Sequence, residues 1–217
     1  MTSTQTRRRT SKLTSLLATR GRPAAPVAGA LTLALLLSVA AGCAQAVEVG
    51  DAAPDFSGII GIDDQKHGLS DYQDAKLIVL VFTCNHCPVA VAYEDRLVEL
   101  QKDYDDKGIQ LIAVNVNNLP ADRLEPMKKR AEQKGFNFPY LYDSSQKIGR
   151  DYGAKVTPHV FVLDQDRKVA YVGAIDNSMK ADKVEKQYVR DALDALLAGN
   201  TPEPASAKAF GCGIKYE

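Results

Sequence analysis

"KLIVLVFTCNHCPVAVAYEDRL", residues 76–97, carries three signals in immediate succession. Lys76 to Phe82 is a continuous apolar, β-branched run of the length of a buried strand. Val89, Tyr93, Leu97, Leu100 and Tyr104 then recur at spacings of three and four, the apolar stripe of an amphipathic helix. Pro88 suits its first turn, where a missing N–H costs little. Between strand and helix stand Cys84 and Cys87, with His86 between them. Unpaired N–H groups and the dipole at a helix start favour an anion, so a thiolate forms there more readily, and the thiolate is the nucleophile. In such a turn Cys84 is expected to be the more exposed sulfur and the attacking one, and Cys87 the resolving one. His86 is expected to tune the Cys84 thiolate.

Two other uses of the pair are weaker. A structural disulfide closing a loop of two residues would constrain the unfolded chain very little. A zinc site needs a second pair at similar spacing, and Cys212 with His86 or His159 would be an irregular set.

The rest of the chain alternates short apolar runs with amphipathic segments, the pattern of an α/β domain with a parallel or mixed sheet. Gly108 to Asn117 reads as a second buried strand, "MKKRAEQKG" as a helix stopped by Gly135, and "FPYLYD" as a short strand. "SSQKIGRDYG" reads as a short helix with Ser144 as its cap. "HVFVLD" and "KVAYVG" form a hairpin across "DQDR". "KADKVEKQYVRDALDALLAGN" reads as a last helix with Val184, Tyr188, Ala192, Leu193, Leu196 and Leu197 inward and Gly199 as its stop. Residues 200–217 begin Pro-rich and end in an apolar cluster; docking on the domain and hanging free are both open.

The 217 residues have no formal net charge, but residues 1–42 hold six basic side chains and no acidic one. Removing those six from the 27 basic residues leaves 21 against 27 acidic, a formal −6. That balance argues against a nucleic-acid partner. The basic start precedes the apolar stretch Pro26 to Gly42, the order of a secretory signal, so residues 1–46 are read as a targeting segment and 47–199 as the domain. "VAAGC" (Val39 to Cys43) is similar to a bacterial lipoprotein signal, with Cys43 as the lipidated residue. "AQA" (Ala44 to Ala46) offers an ordinary cleavage site just downstream. Either places the domain outside the cytoplasm, with lipidation anchoring it to a membrane.

Strand, C-x-x-C and helix together resemble the thioredoxin superfamily over roughly Val47 to Gly199. The segment "YGAKVTPHVFVLDQDRKVAYVG" adds to the likeness, and "VGDAAPDFSGIIGIDDQKHGLSDYQDAKLIVLVF" resembles the opening of its redoxin group. The resemblance implies a thioredoxin-like fold with a redoxin-type N-terminal extension, a mixed sheet flanked by helices. It implies a cis-proline at Pro158 facing the cysteines, with the backbone of Thr157 free to pair with a substrate strand. It also implies a thiol–disulfide oxidoreductase acting on protein thiols with a membrane or periplasmic redox partner, without cofactor or metal.

The chain departs from particular subgroups. Ile78 stands where thioredoxins carry a buried aspartate, and Ala90 where cytochrome-maturation thioredoxins carry a glutamate; the nearest acid is Glu94. Val81 stands where a peroxidase of the group needs threonine or serine three positions before Cys84, which argues against the thiol-peroxidase alternative. A copper carrier is the other alternative, with Cys84, Cys87 and His159 as ligands to Cu(I). Whether the pair oxidises or reduces its clients stays open, as does the part played by Cys212.

Overall fold

The computed structural model describes residues 46–217; Cys43 and the apolar stretch Pro26 to Gly42 lie outside them. Among the described residues no helix is long and apolar enough to cross a membrane. The chain order is β1 (Ile59–Gly61), β2 (Lys66–His67), β3 (Leu77–Phe82), α1 (Pro88–Tyr104), β4 (Ile109–Asn115), α2 (Leu124–Lys134), β5 (Tyr140–Tyr142), α3 (Lys147–Tyr152), β6 (Val156–Thr157), β7 (His159–Leu163), β8 (Val169–Gly173), α4 (Tyr188–Leu197), β9 (Ser206–Ala207) and β10 (Cys212–Gly213).

One mixed sheet of eight strands runs β2-β1-β5-β4-β3-β7-β8-β9, and β6 pairs with β10 apart from it. β3 is parallel to β4 and antiparallel to β7, so it lies at the centre, where a strand is covered on both faces. All six of its residues are buried accordingly. Val79 and Val81 face a core built with Tyr93, Leu97 and Leu100 of α1, while Ile78, Leu80 and Phe82 face a second core with Ile148, Tyr152 and Phe161. A mixed sheet carrying helices on both faces, with the cysteine turn at the end of its central strand, is a thioredoxin-like fold.

Two readings of the sequence change. The short helix α3 is not capped by Ser144. Asp143 takes that part, accepting from the amides of Ser145 (3.0 Å) and Ile148 (2.8 Å). The last helix begins only at Tyr188, because the Asn177 side chain accepts from the amides of Glu185 (2.9 Å) and Lys186 (3.0 Å) and holds that segment as a loop. Val184 therefore lies outside the helix, Leu197 is 38% exposed, and Val189 is the inward residue the spacing had passed over.

The tail docks. β9 pairs parallel to β8, and Gly173 permits it: an added Cβ there would sit 1.8 Å from the Ala207 carbonyl oxygen. β10 pairs antiparallel to β6, with Cys212 opposite Thr157 and Gly213 opposite Val156.

Candidate active site

Past the end of β3 the chain turns through Thr83 to His86 and enters α1 with Cys87 at the cap position. The turn is held by Asp122, fully buried in a short loop after β4. One carboxylate oxygen accepts from the amides of Asn85 (2.8 Å) and His86 (3.2 Å), and the other lies 2.5 Å from His86 Nδ1. Asn85 also donates to the Ala121 carbonyl (2.9 Å) and accepts from the Tyr140 hydroxyl (3.1 Å). Asn115, at the end of β4, fixes the loop in turn by donating to the Asp122 carbonyl (3.0 Å). A buried carboxylate is tolerated only where donors surround it, and this one has three.

Both sulfurs converge on Thr157. Cys84 Sγ lies 3.2 Å from its hydroxyl, and Cys87 Sγ lies 3.2 Å from its carbonyl oxygen. Cys212 packs against the same pair, and Cys84, Cys87 and Cys212 are all thiols. The two cysteines of the turn differ in acid strength. Burial, partly offset by the Thr157 hydroxyl and reinforced by the Asp122 charge, pushes the Cys84 thiol up to about 12. Burial also opposes the Cys87 thiolate, but there the donors win. The Cys212 thiol, the backbone N–H groups of Ala90 and Cys212, and the Thr157 hydroxyl hold Cys87 below the ordinary cysteine value. Cys212 is raised in exchange, first by its hydrogen bond to Cys87 and then by burial.

These positions bear on several expectations. Cys84 is the more exposed of the two sulfurs, but at only 2% against 0%, and the helix-start donors serve Cys87, because Cys87 is the cap and accepts from the Ala90 amide (3.4 Å). His86 bonds to Asp122, so its ring is oriented by a carboxylate. The Thr157–Pro158 peptide is cis. The Thr157 backbone is not free: β10 of the tail is paired with it. Glu94 is buried but committed to Arg130, which grips it through two bonds of 2.8 and 2.6 Å.

His159 does not join the cysteines. Its ring packs 4.8 Å from Phe161, on the sheet face that carries Phe82 and Tyr152 rather than α1. Burial, helped by the Lys155 charge, pushes its pKa down to about 4. A Cu(I) site built from Cys84, Cys87 and His159 therefore lacks its imidazole. Among the described residues the one group of donors fit for a metal is Cys84, His86 and Asp122, whose ligand atoms lie within 4.8 Å of one another.

Asp122 is the residue that sequence reasoning missed. It stands 36 positions from His86, in a loop with no local motif, and only the parallel pairing of β3 with β4 brings it to the turn.

Residues 48–188 match the family model described as Redoxin. The chain belongs to the Redoxin family. The thiol-disulfide oxidoreductase ResA of Bacillus thuringiensis (strain Al Hakam) is 31% identical, over 72% of this chain and 80% of that protein. Among solved structures, an uncharacterized conserved protein from Geobacillus kaustophilus is similar with a TM-score of 0.75 and 35% identity, over 80% of this chain and 94% of that one. A thiol:disulfide interchange protein of the thioredoxin family from Chlorobium tepidum TLS has a TM-score of 0.51 and 20% identity, over 62% of this chain and 92% of that one, a likeness of fold alone.

Proposed function

We propose that this Redoxin-family enzyme, a thiol–disulfide oxidoreductase, works outside the cytoplasm on protein thiols and disulfides through Cys84 and Cys87. The observation that carries this reading is the convergence of both sulfurs on Thr157, beside Pro158, at the start of α1. Cys84 is the sulfur that bonds to the client, and Cys87 is its resolving partner.

In the oxidising direction a client thiolate attacks Cys84 of the Cys84–Cys87 disulfide, and Cys87 leaves as a thiolate. The same donors that lower its pKa make it a good leaving group. A second client thiolate then attacks the client sulfur, releasing the client disulfide and Cys84, which takes up a proton. In the reducing direction Cys84 must lose that proton before attacking. His86 and Asp122, whose nitrogen and oxygen atoms lie within 4.8 Å of Cys84 Sγ, are the groups placed to exchange it. Thr157 and Pro158 form the edge on which a client backbone would lie once the tail has moved aside.

The basic, apolar and small-residue order of residues 1–46 supports export, and "VAAGC" supports lipidation at Cys43 and a redox partner at a membrane. The test is disulfide exchange by the purified mature protein, reducing insulin with dithiothreitol and oxidising reduced ribonuclease, beside Cys84→Ala and Cys87→Ala. Both substitutions are expected to abolish exchange. A reduction potential below about −300 mV without any exchange would make the pair a structural bond and overturn the reading. Mass spectrometry of the mature N-terminus tests the anchor: a diacylglyceryl mass on Cys43 supports it, and a start at Val47 removes it.

A further inference from the structure

The tail approaches the active site by a route that only glycine allows. Gly211 has φ +152°, and a Cβ built on it would lie 2.0 Å from the Thr157 carbonyl oxygen, inside any van der Waals limit. With that side chain absent, β10 settles against β6 and Cys212 stands directly opposite Thr157. Opposed residues of an antiparallel pair carry their side chains to one face, about 4.5–5.5 Å apart. Thr157 touches both active-site sulfurs, so its partner Cys212 is delivered to them as well.

The docking is secured on the far side of Cys212. The Ile214 amide donates to the Lys155 carbonyl (3.0 Å), and the Lys215 amide to the Asn117 side chain (3.2 Å). Gln146 holds the Lys215 carbonyl (2.7 Å), and the Tyr216 hydroxyl donates to the Ala154 carbonyl (2.7 Å). The tail strand thus lies on the edge assigned above to a client strand, with a cysteine at the position level with the reactive pair.

We propose that Cys212 is a third redox thiol of this site, held by the tail on the edge assigned to a client strand and exchanging with the Cys84–Cys87 disulfide to give a Cys87–Cys212 disulfide. This rests on the reading of Cys84 and Cys87 as a redox pair. In the exchange the Cys212 thiolate attacks Cys87 Sγ, the Cys84–Cys87 bond breaks and the Cys87–Cys212 bond forms. Cys84 departs and takes up the proton that Cys212 gave up, so no electrons enter or leave. Burial makes Cys84 a weak acid and so a slow leaving group, and it is held as the thiol once released. The leading cause of the raised Cys212 pKa is its hydrogen bond to Cys87, which is lost once that sulfur sits in a disulfide. The Cys87–Cys212 bond fastens the tail over Thr157 and closes the site to clients until Cys84 reverses the exchange.

The test uses the mature chain carrying Cys84→Ser, treated with oxidised glutathione. Cys87 attacks glutathione disulfide and expels one glutathione thiol; Cys212 then attacks the Cys87 sulfur and expels the second. The expected product is an intramolecular link, seen as a joined Cys87–Cys212 peptide in a non-reducing digest. Cys87 left glutathionylated with Cys212 still open to alkylation, or a link between two chains, overturns the proposal. Gly211→Val in the same background keeps both thiols and lifts the strand, so it is expected to lose the joined peptide; an undiminished yield overturns the docking argument. Insulin reduction by the wild-type chain, run in parallel, separates the two readings. Exchange without the link removes the third thiol alone, and a link without exchange removes the proposed function.

Discussion

Asp122→Asn is the most direct probe of how the cysteine turn is held. The substitution keeps the shape of the side chain, and its remaining oxygen can still accept from the Asn85 and His86 amides. It removes the charge behind those bonds and puts an NH2 group in place of the oxygen 2.5 Å from His86 Nδ1. A hydrogen bond to a charged group contributes about 1.5–3 kcal/mol and a neutral one about half of that. Relief from burying a carboxylate offsets part of the loss, leaving a net destabilisation of about 2 kcal/mol. For a domain of this size that is a fall in Tm of about 4–8 °C, measured by thermal unfolding of the dithiol form. A second readout carries the opposite sign. The Asp122 charge is one of the causes that raise Cys84, so its removal moves the Cys84 thiol down, read from the ultraviolet absorbance of the thiolate against pH. An unchanged Tm, or a Cys84 thiol that moves up, would refute the argument that this carboxylate both builds the turn and acts on its first sulfur.

Cys212→Ala, in a Cys84→Ser background so that one active-site thiol is read, removes a donor to Cys87 and raises its pKa. At neutral pH the thiolate fraction is expected to fall about tenfold, as for losing about 1.5 kcal/mol, and Cys212→Ser should restore it; equal titrations in all three chains would contradict this. Burial holds His159 neutral in the fold down to about 4, below the ordinary histidine value of 6.5, so the unfolded chain binds the extra proton between these values. Stability should therefore fall as pH drops from 6.5 to 4, by up to about 3 kcal/mol, and His159→Phe should flatten that slope in urea unfolding at several pH values. Arg130→Ala leaves the buried Glu94 carboxylate with Lys134 at 3.9 Å as its remaining ion-pair partner and is expected to cost about 3 kcal/mol. The reduction potential should stay unchanged, whereas a shifted potential would make Glu94 part of the redox site.

The strands and helices around the active site were legible because their signals are local. Leu77–Phe82 is apolar at every position, and a run of that kind has few alternatives to a buried central strand. Pro88 and the three-four spacing of Tyr93, Leu97 and Leu100 fixed the helix that follows, since both act within one or two turns. The last helix was overextended for the converse reason. Val184 continued the spacing, but Asn177 satisfies the amides of Glu185 and Lys186 from outside, a competition that spacing does not register.

By itself the sequence determined the frame of the candidate redox turn: two cysteines where a strand gives way to a helix. It left open which sulfur carries the charge and what closes the site, because both depend on groups remote along the chain. Asp122 reaches the turn through the pairing of β3 with β4, and Cys212 reaches it through β10, 125 positions after Cys87. Only the folded chain sets a buried carboxylate beside Cys84 and a third thiol beside Cys87. Electrostatics and hydrogen bonding act over a few ångströms of space, whatever the separation in sequence.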